Sequence, residues 1–261
     1  MNQVMWIAKT GVEAQQTRMA VISNNLANVN TVGFKRGRAN FEDLIYQNIR
    51  QAGGQTSQDT QLPSGLNIGT GVRTVATDKM FSQGNQIKTD NSLDFSVEGR
   101  GFLQVQMPDG TTAYTRNGSF RLNANGQIVS ATGYTLLPAI TIPNNAQSIS
   151  IGRDGTVSVT VATSSTPTTA GNIQLSDFIN PVGLQPVGEN LFRESAASGS
   201  AQTGTPSLNG LGALTQGFLE SSNVNIVEEL VNMIEAQRAY EMNSKAIQTA
   251  DAMMKFITNT L

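Results

Sequence analysis

Apolar residues recur at alternating intervals of three and four at both ends of the chain, and nowhere between. From Met5 the stripe runs through Ala8, Val12, Met19, Ile22, Leu26 and Val29, interrupted by Gln15. That spacing predicts an amphipathic helix with a heptad seam, and Gly33 supplies its expected stop. At the other end Asn225 and Glu228 read as an N-cap and an acidic first turn. Ile226, Leu230, Met233, Tyr240, Ile247 and Met254 follow in the same rhythm, with Gln237, Ser244 and Asp251 as polar interruptions. This predicts a second helix over residues 225–258. Ala236, Ala239, Ala246 and Ala250 favour helix and leave thin faces for close approach.

The middle alternates with period two instead. Strands are expected at residues 93–97, 102–107, 119–122, 127–130, 148–151 and 156–161. Asp109-Gly110, Asn117-Gly118, Asn125-Gly126 and Asp154-Gly155 are expected hairpin turns, because both residue types tolerate positive φ. Residues 53–64 and 195–206, rich in Gly, Ser, Thr and Gln, read as poorly ordered, and residues 163–169 as a loop. The predicted class is α+β: long N- and C-terminal helices pairing as a coiled-coil layer, with an antiparallel β-rich domain inserted. The expected divisions are residues 1–33 with 222–261 as a helical inner core, 34–80 as an extended linker, and 81–221 as a β-rich outer domain.

A hairpin of two such helices buries one seam of each. Trp6, Ile7, Val21, Ile234, Met253 and Ile257 then face outward, and each Leu- or Ile-sized side chain left in water forgoes about 1.5–3 kcal/mol. The helices could instead fold back on the sheet as an ordinary two-layer core. Their heptad spacing, and strands that alternate enough to build a core alone, favour association with other copies.

Composition removes whole classes of chemistry. The 261 residues include no histidine and no cysteine, which excludes Ser-His-Asp hydrolysis, Cys-His nucleophiles, disulfides and thiolate metal sites. No cofactor is expected. Charged residues are 14% of the chain and net charge is -2, so nothing forms a basic field for nucleic acid. Ser, Thr, Asn and Gln make up about a third of the chain, giving a wet but weakly charged surface. Neither a basic leader with an apolar run nor a membrane-spanning stretch is visible, so no cleaved signal and no membrane insertion are expected. Lys35, Arg36 and Arg38 beside Glu42 and Asp43 read as a solvated face or an intersubunit pair.

Several motifs resemble those of the bacterial flagellar rod and hook proteins. Asn24-Asn25-Leu26-Ala27-Asn28 and Thr31-Val32-Gly33-Phe34-Lys35-Arg36 look like that family's N-terminal signature. Leu219 to Asn225, including Asn223 and Val224, with Gln237-Arg238-Ala239-Tyr240-Glu241, resembles the C-terminal one. Residues 97–103 and 114–120 are similar to its middle-domain motifs. Tyr46 to Arg50 and Leu62-Pro63-Ser64-Gly65, with residues 68–72, look like the segment characteristic of distal rod members. The resemblance implies a structural subunit of the distal rod: a rigid hollow drive shaft that transmits torque from motor to hook and encloses the export channel. It implies export by the flagellar type III route without signal cleavage, and a place in the periplasm-spanning basal body. The partners implied are further copies, proximal rod and hook-type axial proteins, and the surrounding peptidoglycan- and outer-membrane-associated rings. Another rod or hook-type axial protein is the alternative. From other classes, Asp94 with Glu98 could serve a carboxylate-based peptidoglycan-acting enzyme, or the middle domain could be an adhesin.

Overall fold

The computed structural model describes residues 3–53, 55–57, 60–61, 63–161 and 164–260; for 55–57, 60–61, 164–165 and 257–260 it describes the backbone alone. Among the described residues there are two α-helices, α1 (Gln3–Ala27) and α2 (Ile226–Thr260), with antiparallel strands between them. The class is α+β. The chain forms two compact units: a helical unit of Met1–Leu26, Gly37–Asp78 and Asn225–Leu261, and a sheet unit of Ala27–Arg36 and Lys79–Val224.

In the helical unit α1 and α2 are 25 and 35 residues long, or about 38 and 52 Å at 1.5 Å per residue. They run antiparallel. Arg18 reaches Asn232 and Glu235, Asn25 reaches Glu229, and a Cβ on Gly11 would lie 2.8 Å from Asn243 Nδ2. Strands Gly37–Asp43 and Val72–Lys79 pair beside the helices, and Tyr46–Arg50 pairs antiparallel with Leu66–Gly69. Thr10 joins α1 to this ribbon. Its hydroxyl donates to Ile7 O at 2.8 Å and accepts from Val72 N at 3.3 Å.

In the sheet unit, among the described residues, nine strands make one antiparallel sheet. Phe102–Gln106 lies centrally, bonded to Thr112–Thr115, Thr135–Leu137 and Leu175–Asp177. The period-two pattern is realised in burial: Leu103 and Val105 point into one core, with Phe95 stacked on Phe120 at 5.0 Å. Phe102, Tyr114, Phe178 and Phe192 make a second cluster on the opposite face, packed mostly edge-to-face. A three-stranded sheet of Ala146–Ile151, Thr156–Val161 and Ser164–Asn172 closes the first core with Ile151, Val157 and Val159.

Five expectations need correction. Helix α1 ends at Ala27, not at Gly33, so Val29 lies in the following turn. Gly33 has φ +72 for a different reason: a Cβ there would meet Asn117 N at 2.7 Å and Arg116 O at 2.9 Å. Asn117-Gly118 joins no hairpin, because Phe120–Leu122 pairs with Ile128–Ser130; Gly118 gives up its side chain so that its carbonyl can accept from Phe95 N at 3.1 Å. Residues 164–169 belong to an edge strand, where Pro167 is tolerated because an outer strand can spare one N–H. The Gly/Ser stretch 195–206 is ordered by strand Gln202–Gly204, paired with Leu175–Asp177, and by a Ser195–Ser198 turn. In residues 53–64, strands 55–57 and 60–61 pair; Gly54, Gln58, Asp59 and Leu62 lie outside the described residues.

Glycine substitutions separate close approach from turn strain. A Cβ at Gly118 would sit on the Phe95 carbonyl, whereas at Gly110 (φ +78) nothing lies within 4 Å. Gly118→Ala is expected to cost at least about 3 kcal/mol in urea unfolding, and Gly110→Ala only about 1–2 kcal/mol.

Candidate functional site

The two terminal motifs meet at a buried charge cluster in the sheet unit. The Lys35 ammonium lies 2.6 Å from Glu220 Oε1, and both side chains are fully buried. Glu220 Oε1 also accepts the Gly84 N–H at 2.9 Å, and Oε2 lies 3.3 Å from Arg116 Nη1. Lys35 donates to Ser82 O at 2.8 Å, and Arg116 donates to Gly99 O at 2.6 Å. Backbone adds a further tie, with Gly33 N donating to Glu220 O at 2.8 Å. Two cations thus share one carboxylate, and the carbonyls of Ser82, Val97 and Gly99 accept further donors, while Arg116 Nε is buried without a partner. Burial draws the Lys35 ammonium below its ordinary value; Glu220 opposes this, and the Arg116 charge adds to it. Burial likewise lowers Arg116, with Glu220 and Asp177 opposing.

This corrects the reading of Lys35 as part of a solvated face. Only Arg38 of that trio is exposed, 3.8 Å from Asp78, while Glu42 pairs with Arg73 at 3.0 Å. Phe34 is buried, with Lys79 Nζ 4.3 Å from its ring centre.

The remaining motif residues hold backbone. Asn25, almost fully buried, accepts from Gly37 N at 2.8 Å and donates to Gly37 O at 2.9 Å and Glu229 Oε2 at 3.3 Å. Asn28 accepts the Thr31 hydroxyl proton at 3.2 Å. Asn223 binds Arg36 and Met80, and Val224 is buried. Leu26 is half-buried, and Ala27 and Gln237 are exposed; Arg238, also exposed, pairs with Glu241 at 3.1 Å.

The stripe residues divide between two faces of the helical unit. Ala8 and Ile22 are buried; Met5, Val12, Met19, Met233, Tyr240 and Ile247 are half-buried. Ile226, Leu230 and Met254 are exposed, along with Val4, Trp6, Val231, Ile234 and Met253. What α1 and α2 bury is small or polar: Ala8, Ala14, Asn25, Glu229, Ala236 and Ala250, with Ile22 the large exception. The helical unit therefore keeps thin and hydrogen-bonded groups inside and much of its apolar bulk outside. The ribbon at 46–69 behaves alike. Tyr46 and Ile49 are exposed, as are Pro63, Ser64 and neighbouring Ile45 and Leu66, while Gly65 packs 2.7 Å (from its virtual Cβ) from Arg50 O.

Three family matches cover this architecture: "Flagella basal body rod protein" over residues 5–35, "Flagellar hook protein FlgE/F/G D1 domain" over 96–159, and "Flagellar basal body rod FlgEFG protein C-terminal" over 215–260. The chain is 58% identical over 251 residues to the flagellar basal-body rod protein FlgG of Buchnera aphidicola subsp. Schizaphis graminum, covering 96% of each chain. It is 48% identical to FlgG of Borreliella burgdorferi, covering 99% of this chain and 98% of that one. Against FlgG of Bacillus subtilis it is 42% identical, covering 96% of each. The chain belongs to the FlgG family of flagellar basal-body rod proteins.

As a FlgG-family member it is a structural protein of the flagellar basal body, assembling into the rod with other axial components, and not an enzyme. The two terminal family matches contain Lys35 and Glu220, so the ion pair joins them across 185 residues. Asp94 is buried beside Asn91, and Glu98 is exposed against Arg153. Two positioning groups escaped sequence reasoning: Thr10 interrupts no pattern, and Gln216 sits among polar neighbours while bonding Ser92 O, Ile149 O and Ile151 N. Arg116 lies in the 114–120 motif, but nothing in the sequence marks its buried charge role.

Removing the shared carboxylate strands two buried cations. Glu220→Gln is expected to destabilise the full chain by about 3–5 kcal/mol in urea unfolding. Lys35→Met should cost clearly less, because Arg116 and the Gly84 amide still hold Glu220.

Proposed function

We propose that this chain polymerises as the distal rod: a rigid hollow shaft that carries torque from motor to hook and surrounds the export channel. In this reading residues 1–33 with 222–261 form the inner core, α1 and α2 pairing as one element of a coiled-coil layer. Residues 34–80 form the rod-specific extension, and residues 81–221 form the outer domain that meets the peptidoglycan- and outer-membrane-associated rings. Proximal rod and hook-type proteins continue the polymer at its two ends. Export proceeds by the flagellar route without a cleaved signal, and neither nucleic acid nor membrane insertion has a part.

The observation that carries this reading is the exposed apolar side of α2. Leu230, Val231, Ile234 and Met253 are between 45% and 70% exposed. Burying side chains of this size against further copies contributes about 1.5–3 kcal/mol each. The antiparallel register of α1 and α2 supports a paired layer, and the packing stripe at Met5, Val12, Met19, Met233, Tyr240 and Ile247 lies at its margin. An isolated two-stranded ribbon is marginal in water, so the segment at 46–69 is assigned a place against a neighbouring subunit through Ile45, Tyr46, Ile49 and Leu66.

Leu230→Asp tests this directly, since the residue is already exposed and its change should leave urea unfolding within about 0.5 kcal/mol. Concentrated wild-type protein is expected to form tubes by electron microscopy, and the variant none. Tubes of normal length from Leu230→Asp would overturn the role of this face.

A further inference from the structure

The chain passes between its two units at residues 26–27, 36–37, 78–79 and 224–225. Next to three of these crossings, inside the sheet unit, stands Asn223. Its Oδ1 accepts the Arg36 N–H at 2.7 Å. Its Nδ2 donates to Met80 O at 2.8 Å, to Ser82 O at 3.1 Å and to Ser82 Oγ at 2.9 Å. Met80 N in turn donates to Arg36 O at 2.8 Å, and Lys79 Nζ donates to Lys35 O at 3.1 Å. One amide side chain therefore ties the segment that leaves after Arg36, the segment that returns at Lys79 and the segment that leaves after Val224.

Only a carboxamide fits this set of partners. The site needs an acceptor for one N–H and donors for carbonyls on a different segment, and Asn offers both from one planar group. Aspartate keeps the acceptor and loses the donors. Alanine loses both.

We propose that Asn223 is a positioning residue for torque transmission, a clasp that makes three chain crossings leave the sheet unit as one bundle. A lone segment turns about two soft dihedrals per residue. Strand pairing of Gly37–Asp43 with Val72–Lys79 and the Met80 N–Arg36 O bond already join two of the three, and Asn223 adds the third. Hydrogen-bonded together, they take twist jointly. The consequence for torque rests on the drive-shaft reading; the clasp does not, and two measurements keep them apart.

Amide hydrogen exchange on the full-length protein reads the clasp. Asn223→Ala is expected to speed exchange at the Arg36 amide about tenfold, the effect of one lost hydrogen bond. Asn223→Asp should retain wild-type protection at Arg36 while exposing its neighbours around Met80. Unchanged exchange at Arg36 in Asn223→Ala overturns the clasp. Swimming speed against medium viscosity reads the torque role. Both variants are expected to swim normally in dilute medium and to slow at least about twofold more than wild type as viscosity rises. A wild-type viscosity response with altered exchange overturns the torque role and leaves the rod reading standing. Loss of swimming at every viscosity in both variants also overturns it, because Asn223 would then be needed for building the rod instead of loading it.

Discussion

A carboxylate with no access to water sits where the chain's two ends come together, and the arrangement of the sheet unit follows from keeping it satisfied. Glu220 has Lys35 and the Gly84 amide on one oxygen and Arg116 on the other. An ionised group without such partners costs several kcal/mol to bury even after relaxation. Each partner comes from a different part of the chain, so the carboxylate can be satisfied only when residues 33–35, 84, 116 and 220 are all in place. Gly33 must have no side chain for the same reason, since it lies against the backbone of Arg116 and Asn117. An apolar core of equal volume would be as stable or more so. What the ion cluster adds is specificity: one register of entry and exit segments, and no other, pairs every charge.

The helical unit is built on the opposite principle. Its seam is narrow and partly polar, with Gly11 against Asn243 and Asn25 against Glu229, while Leu230, Ile234 and Met253 face out. Ordinary two-helix hairpins put their largest apolar residues between the helices. Here the alanines bring the helices close, and polar contacts choose the register. A polar seam adds little net stability in water, because each bond formed replaces one to solvent. In the proposed polymer the larger free-energy gain comes from contacts with other copies.

Much of this was legible in the sequence. Heptad spacing located α2 to within two residues and α1 except for its C-terminal end. Alternation with Asx-Gly turns located six strands and three of the four expected hairpin turns, but not Thr112–Thr115, Thr135–Leu137, Leu175–Asp177, Leu191–Arg193 or Ala213–Gln216, which also enter the core. Which face of α2 turns toward α1 was not legible. Ala236 and Ala250 are buried while Ile226 and Leu230 are exposed, so hydropathy alone points to the wrong side where the helices pair through small residues. Lys35 was misread because a lysine among arginines and acids looks solvated, and its partner is 185 residues away. Asn117-Gly118 has the composition of a hairpin turn, yet its glycine is required by a close approach to Phe95. Local pattern reports local geometry; long-range polar pairing leaves almost no local trace.

The two building principles depend on each other through chain connectivity. The segment that follows α1 and the segment that precedes α2 are bound together in the sheet unit, Gly33 N to Glu220 O at 2.8 Å and Arg36 N to Asn223 Oδ1 at 2.7 Å. Tethering two helices at adjacent ends replaces the long loop between them, residues 28–225, by two short connections. The loop-closure entropy is then charged to the sheet unit's own folding, and a weak seam suffices. Without that tether, α1 and α2 would need a strong apolar seam to find each other, and the residues for it are the ones exposed on the outer face. In the proposed polymer, the buried carboxylate is thus what would leave the helices' apolar surface available for assembly. Within that reading, specificity resides in the core of the sheet unit and the free energy of polymerisation in the outside of the helices.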